Sequence, residues 1–129
     1  MTYLYNKTAL VTGASSGIGY EIVKYISQFD MRIIVTARRE ENLKNLKDEI
    51  ESNSKSTVLI LIKDLSDPKS PQEIYNFCKE KNLSIDFLVN NAGYGFTEDF
   101  DTYDLEKLDD FLNVLMNSLV KLTRLFIQD

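Results

Sequence analysis

Histidine is absent from these 129 residues, and cysteine occurs once, at Cys78. Without histidine, Ser-His-Asp and Cys-His nucleophile schemes and histidine-based metal sites are excluded, and no other metal site is expected. A lone cysteine cannot form an internal disulfide, so a reducing cytoplasm is the expected compartment. Cys78 itself reads as a small core hydrophobe. Long apolar runs are missing: the longest purely aliphatic stretch, Val58 to Ile62, is far too short to span a membrane. The opening Met1-Thr2-Tyr3-Leu4-Tyr5-Asn6-Lys7 has no basic patch leading into an apolar core, so no signal peptide is expected. Basic residues are outnumbered, 15 against 20 acids for a net charge of −5, which argues against nucleic acid as a general partner. The acids crowd between Glu98 and Asp110, where a solvated loop and helix start account for them.

Glycine is scarce too, and its five positions fall in two places: Gly13, Gly17 and Gly19, then Gly93 and Gly95. The first three lie in Thr12-Gly13-Ala14-Ser15-Ser16-Gly17-Ile18-Gly19. An apolar run, Thr8 to Val11, precedes that stretch, and helical spacing follows it at Ile18, Ile22, Val23, Ile26 and Phe29. A strand, a glycine turn and a helix in that order form a phosphate cradle, because the turn and the helix start present unpaired N–H groups and partial positive charge. The spacing is G-x-x-x-G-x-G, and Tyr20 and Glu21 follow Gly19 where a P-loop needs Lys-Ser/Thr.

The length suits one domain with a real core and is too short for two. Strand and helix patterns alternate throughout, which implies crossover units and a parallel sheet. Strands are expected over Thr8–Thr12, Met31–Ala37, Thr57–Lys63 and Ile85–Val89, with helices over Gly17–Phe29 and Glu40–Asn53. A third helix is expected to start at Ser70 as cap, with Pro71 at its first position and Glu73 closing a capping box; its buried face should hold Ile74, Phe77 and Cys78. A long helix from Asp104 carries the stripe Leu105, Leu108, Leu112, Leu115, Leu119, Leu122 and Phe126, and the chain stops at Asp129 inside that pattern. The expected strand order is 3-2-1-4, which makes the two glycine sites neighbours at the carboxyl edge of the sheet, where such folds bind ligands.

Thr12-Gly13-x-x-x-Gly17-Ile18-Gly19, Asp64-Leu65 and Asn90-Asn91-Ala92-Gly93 together resemble the short-chain dehydrogenases/reductases of the classical group, over nearly the whole chain. The resemblance implies a Rossmann-type, doubly wound α/β sheet, ending after its fourth strand and following helix. It implies that the turn, with Gly13, Ser15, Ser16, Gly17, Ile18 and Gly19, holds the pyrophosphate and adenosine ribose. Asp64 would accept from the adenine amino group with Leu65 beside it, and Asn91, Ala92 and Gly93 would pass close to the cofactor. Taken alone, Asp64 also reads as a turn former and the asparagine pair as a strand terminator.

The choice of dinucleotide follows from charge. An NAD site places a carboxylate near the end of the second strand to bind the ribose 2′-OH. Here that strand ends Ala37-Arg38-Arg39, and a guanidinium binds a 2′-phosphate with two parallel hydrogen bonds. NADP is therefore expected, with Arg38 as ligand and Arg39 either assisting it or facing water. Glu40 and Glu41 are assigned to the helix start, where negative charge suits the dipole.

Asn117 matches the family's catalytic asparagine, whose backbone holds a water in a proton relay. The family's catalytic serine, tyrosine and lysine would lie downstream of the chain's end. The Tyr-x-x-x-Lys spacings present, Tyr20–Lys24, Tyr75–Lys79 and Tyr103–Lys107, are not where the family keeps its pair. The expectation is thus an NADP-dependent oxidoreductase of carbonyl or alcohol substrates in truncated form, inactive alone. The alternatives are a non-catalytic NADP(H)-binding module and one half of a split enzyme. No membrane partner is expected, and homo-oligomer contact through the last helix is possible by the same resemblance.

Overall fold

The computed structural model describes residues 2–128; Met1 and Asp129, the ends of the sequence reading, lie outside the described residues. Four strands form one parallel sheet: β1 (Thr8–Thr12), β2 (Arg32–Ala37), β3 (Thr57–Ile62) and β4 (Phe87–Val89). Their order is β3-β2-β1-β4, the order expected. Thr12 lies opposite Thr36 in register, and Val11 opposite Val89. The inner strands are apolar because both faces are covered: β1 is buried at every position.

Alternation along the strands divides the core. Ala9, Val11, Ile33 and Val35 pack with Val23 of α1 (Gly17–Ile26) and with Leu43, Leu46 and Ile50 of α2 (Glu40–Asn53). Leu10 and Ile34 face the other way, onto Ile74 and Cys78 of α3 (Ser70–Glu80) and onto Leu122 and Phe126. Burying each such aliphatic side chain contributes about 1.5–3 kcal/mol. Cys78 is fully buried in that second layer, and Phe77 is half-buried at its margin.

Local details differ from the sequence reading, and β4 begins at Phe87 where Ile85 was expected. Helix α1 ends at Ile26 and tightens into a 3₁₀ turn over Ser27–Phe29. Ser70 does not cap α3: the preceding residue, Lys69, occupies the cap position without a side-chain cap bond. The Ser70 hydroxyl donates instead to the Asp64 carbonyl at 2.5 Å, and Glu73 pairs with Lys63. The capping box gives way because nearby tertiary partners compete for the same side chains.

The last helix is capped by Asp104, whose carboxylate accepts from the Glu106 N–H. It runs as α4 (Leu105–Leu112), a π-helical turn (Asn113–Asn117) and α5 (Ser118–Phe126). The buried line is Val114, Ser118, Leu122 and Phe126. Leu105 and Leu119 of the expected stripe are instead 76% and 43% exposed. The extra residue in the π turn rotates the two halves of the helix relative to one another, so no single leucine stripe faces the core.

Candidate functional site

The carboxyl ends of β1, β2 and β4 open onto a crevice of about 360 Å³, within the usual size of small-molecule sites. Gly13, Ser15, Ser16, Gly17 and Ile18 line it together with Arg38, Arg39, Asp64, Leu65, Asn91, Ala92 and Gly93. Of the residues picked out from sequence for cofactor contact, Gly19 alone does not line it. Gly19 is buried beneath the turn, where an added Cβ would run into the Asn91 carboxamide and the Gly13 carbonyl.

The glycine turn is fastened to the end of β4 by a dense set of bonds. The Asn91 carboxamide donates to the carbonyls of Thr12 (3.0 Å) and Gly13 (3.2 Å). The Thr12 hydroxyl accepts from the N–H groups of Asn91 and Ala92, both at 3.0 Å. Gly13 has a φ of +66°, and an added Cβ would stand 2.7 Å from the Ala92 Cα. Two requirements for glycine therefore coincide there: left-handed backbone and close approach of two chain segments. Gly17, at φ +60°, has open space where its Cβ would be, so a ligand can reach its backbone.

The other wall comes from β2 and α2. Gly13 N–H donates to the Thr36 carbonyl at 2.8 Å. Thr36 is 1% exposed, and its hydroxyl has no hydrogen-bond partner among the described residues. Arg38 is exposed and makes no hydrogen bond or ion pair among the described residues. Arg39 turns back across the mouth and donates to the hydroxyls of Ser16 (2.6 Å) and Ser15 (3.2 Å).

Asp64 shapes a turn: one of its carboxylate oxygens accepts from the Ser66 N–H at 2.9 Å. Beside it Leu65 is buried. Thr36, Lys63, Tyr94 and Val114 also line the crevice and were not singled out from sequence. Thr36 and Lys63 are readable in retrospect as residues at the ends of parallel strands. Tyr94 and Val114 depend on where the loop and the last helix settle. Burial, with Asp110 next in effect, pushes the Tyr94 phenol above its ordinary pKa, against the pull of Arg38.

Asn117 does not join the crevice. It is exposed in the π turn, and its carboxamide donates to Asn113 Oδ1 at 2.8 Å. From the same turn Val114 lines the crevice, and Leu115 lies so close to Gly93 that an added Cβ there would meet it at 2.8 Å. None of the Tyr-x-x-x-Lys pairs reaches the site. Tyr20 hydrogen-bonds Glu49, which raises its pKa, the opposite of what acid–base catalysis by a phenol needs. Tyr75 packs on Phe126 with Lys79 over its ring, and the Tyr103 hydroxyl donates to the Glu98 carbonyl.

The residues present fit a dinucleotide. Gly17 leaves backbone room for a phosphate, Ser16 gives the first turn of α1 no side-chain cap bond, and the Arg38 guanidinium is without a partner. The apolar side chains of Leu65, Ala92 and Val114 suit a flat base.

A model of the short chain dehydrogenase family matches residues 7–129. An NADP-dependent 3-hydroxy acid dehydrogenase of Schizosaccharomyces pombe is 35% identical over 124 residues, covering 93% of this chain and 46% of that protein. An uncharacterised oxidoreductase of Staphylococcus saprophyticus is 32% identical over 88% of this chain and 49% of its own length. Among solved structures, L-sorbose reductase from Gluconobacter frateurii, complexed with NADPH and L-sorbose, superposes with a TM-score of 0.88 at 27% identity, covering 96% of this chain and 47% of that one. The chain thus spans about half the length of these relatives.

Proposed function

The chain belongs to the short-chain dehydrogenase family, and we propose from that premise that it forms the NADP-binding portion of an oxidoreductase acting on a carbonyl or alcohol. The single observation that carries this reading is the meeting of the glycine turn with Asn91–Gly93 beside an unpaired Arg38. Bound in this crevice, NADP(H) supplies or accepts a hydride at its nicotinamide ring. The first turn of α1 and the backbone at Gly17 hold the pyrophosphate through N–H groups and the helix dipole. Arg38 holds the 2′-phosphate as a bidentate cation. The free carboxylate oxygen of Asp64 accepts from the adenine amino group, and Leu65, Ala92 and Val114 flank the base. Two relatives support this choice of cofactor: one is an NADP-dependent dehydrogenase, and the other was crystallised with NADPH.

The proposal for the 129 residues taken alone is binding without hydride transfer. It is supported by the absence of any Tyr-x-x-x-Lys pair at the crevice among the described residues: of the tyrosine and lysine that do line it, Tyr94 has its pKa raised by burial and Lys63 is paired with Glu73. A split enzyme is the second reading, favoured by β4, whose far edge has no strand beside it among the described residues. Asn117 enters the proposal only through its backbone, at the π turn. The exposed apolar side of α5 and its C-cap, with Leu119, Val120 and Ile127, is the surface proposed for oligomer contact. Cys78 is a free, buried thiol, which supports placing the protein in a reducing cytoplasm; no helix among the described residues is long and apolar enough to cross a membrane.

The test is a pair of titrations with NADPH and NADH. NADPH should bind at least about tenfold tighter, as expected for a charge-assisted bond to the extra phosphate. Equal affinities would remove the NADP assignment. Substrate-dependent NADPH oxidation by these residues alone would overturn the binding-only reading.

A further inference from the structure

Helix α2 reaches the glycine turn through a second side chain that the reading above leaves unused. The Asn42 carboxamide is half-buried and donates to the Ser15 carbonyl at 3.0 Å, across 27 positions of sequence. Three residues earlier, at the N-cap of the same helix, Arg39 holds the Ser15 and Ser16 hydroxyls. The two contacts grip the same two residues, one by the backbone and one by the side chains.

The consequence follows from the planarity of the peptide bond. The Ser15 C=O and the Ser16 N–H belong to one trans peptide unit and point in opposite directions. Fixing the carbonyl on α2 fixes the N–H pointing away from α2. Among the described residues, the other bonds to this limb reach side chains and not the peptide: Arg39 holds the two hydroxyls, and the Ser16 side chain forms no cap bond to α1. On the other limb of the turn, Gly13 is already held by Thr36 and Asn91. Freed from Asn42, the Ser15–Ser16 peptide could rotate and present a carbonyl to an incoming phosphate, which repels it.

Resting on the dinucleotide reading, we propose that Asn42, seconded by Arg39, is a positioning residue for pyrophosphate binding: it clasps the Ser15 carbonyl so that the turn meets the phosphates with its N–H groups. Asn42 touches no part of the ligand in this proposal. Its effect is felt equally by any dinucleotide that uses the turn, whereas Arg38 acts on the 2′-phosphate alone.

The experiment is fluorescence titration of the 129-residue protein with NADPH and NADH; with no tryptophan in the chain, the reduced nicotinamide is read with little background. Asn42→Ala should weaken both by a similar factor, about three- to tenfold for the loss of one orienting hydrogen bond, leaving their ratio within about twofold. Arg39→Met should do the same. Arg38→Ala should weaken NADPH alone. Urea midpoints are measured for every variant, and Asn42→Ser, which keeps a shorter donor, serves should Asn42→Ala fail to fold; it should fall between parent and alanine. Unchanged affinities with a lowered urea midpoint would make Asn42 a structural residue only and overturn the proposal. A loss confined to NADPH would overturn it as well, by placing the clasp at the 2′-phosphate. Failure of the parent to bind either dinucleotide would instead sink the reading beneath it, and that outcome is seen before any variant is made.

Discussion

Thr12 and Thr36 lie opposite one another in register at the ends of β1 and β2, yet their hydroxyls live differently. That of Thr12 takes the amide hydrogens of Asn91 and Ala92 and lies 3.4 Å from the Val89 carbonyl. That of Thr36 has no partner among the described residues. The contrast extends to their surroundings. On the β1–β4 side, Asn91, Gly13 and Gly19 close the joint between turn and strand with their own bonds and packing. At the other end of that joint, Asp86 accepts from Thr8 N–H and pairs with Lys7, both at 2.9 Å. On the β2 side, Thr36 and Arg38 are left to find partners elsewhere. One wall is finished by folding, and the other retains a buried hydroxyl without a partner, that of Thr36, and an exposed guanidinium that a ligand can satisfy, that of Arg38. Substitutions on the first should therefore damage stability before binding, and substitutions on the second should do the reverse.

The largest break in that contrast should come at Gly13. Gly13→Val forces a branched side chain into left-handed backbone and against the Ala92 Cα, and should lose about 3 kcal/mol or more, read as a drop in urea midpoint. Arg38→Glu comes next, with the opposite signature: an unchanged midpoint and an NADPH affinity reduced by about ten- to a hundredfold. Should it instead unfold the protein, the β2 wall would not be the permissive one.

The threonines offer the sharpest comparison. Thr12→Val strands the Ala92 N–H, while the Asn91 N–H keeps the Val89 carbonyl, and should cost about 1–2 kcal/mol. Thr36→Val removes an unpaired buried hydroxyl at nearly constant shape and should leave stability level or raise it by up to about 1 kcal/mol. Equal losses at the two positions would erase the distinction.

The smallest effect is expected from pH. The backbone bond from Thr8, followed by the bond from Lys7, lowers the Asp86 pKa. A carboxylate with a folded pKa below its unfolded one contributes stability that is fully present above the ordinary aspartate value and is lost as pH falls through the depressed one. Acid titration should thus loosen the β1–β4 joint, and Asp86→Asn should flatten that part of the stability profile. An unaltered profile would show that the joint does not depend on this charge.

Much of this was legible before any coordinates. Apolar spacing placed the four strands within two residues at each end and helix α2 at its observed bounds, and it overran α1 by the three residues of its closing 3₁₀ turn. The scarcity of glycine pointed to the crevice, because a glycine kept where others are few marks a backbone need. The charge at the end of β2 was visible as Arg38-Arg39. Less legible was which of two adjacent arginines would be engaged: Arg39 bonds a turn 23 positions upstream, and no local pattern encodes that. Asn42 gave no signal at all, being an unremarkable polar position on a helix.

What the sequence determined by itself was the alternation of elements, the glycine turn between β1 and α1, and the pair of arginines at the end of β2. These depend on periodicity, backbone freedom and formal charge, which neighbouring residues fix among themselves. Tertiary structure alone decided that Ser70 and Glu73 abandon their capping box, that a π turn rotates the leucine stripe, that Gly19 packs beneath the turn and does not line the crevice, and that Thr36 keeps a hydroxyl without a partner. Each is a competition for partners between groups distant in the chain, and its outcome exists only once the sheet has brought the competitors within reach.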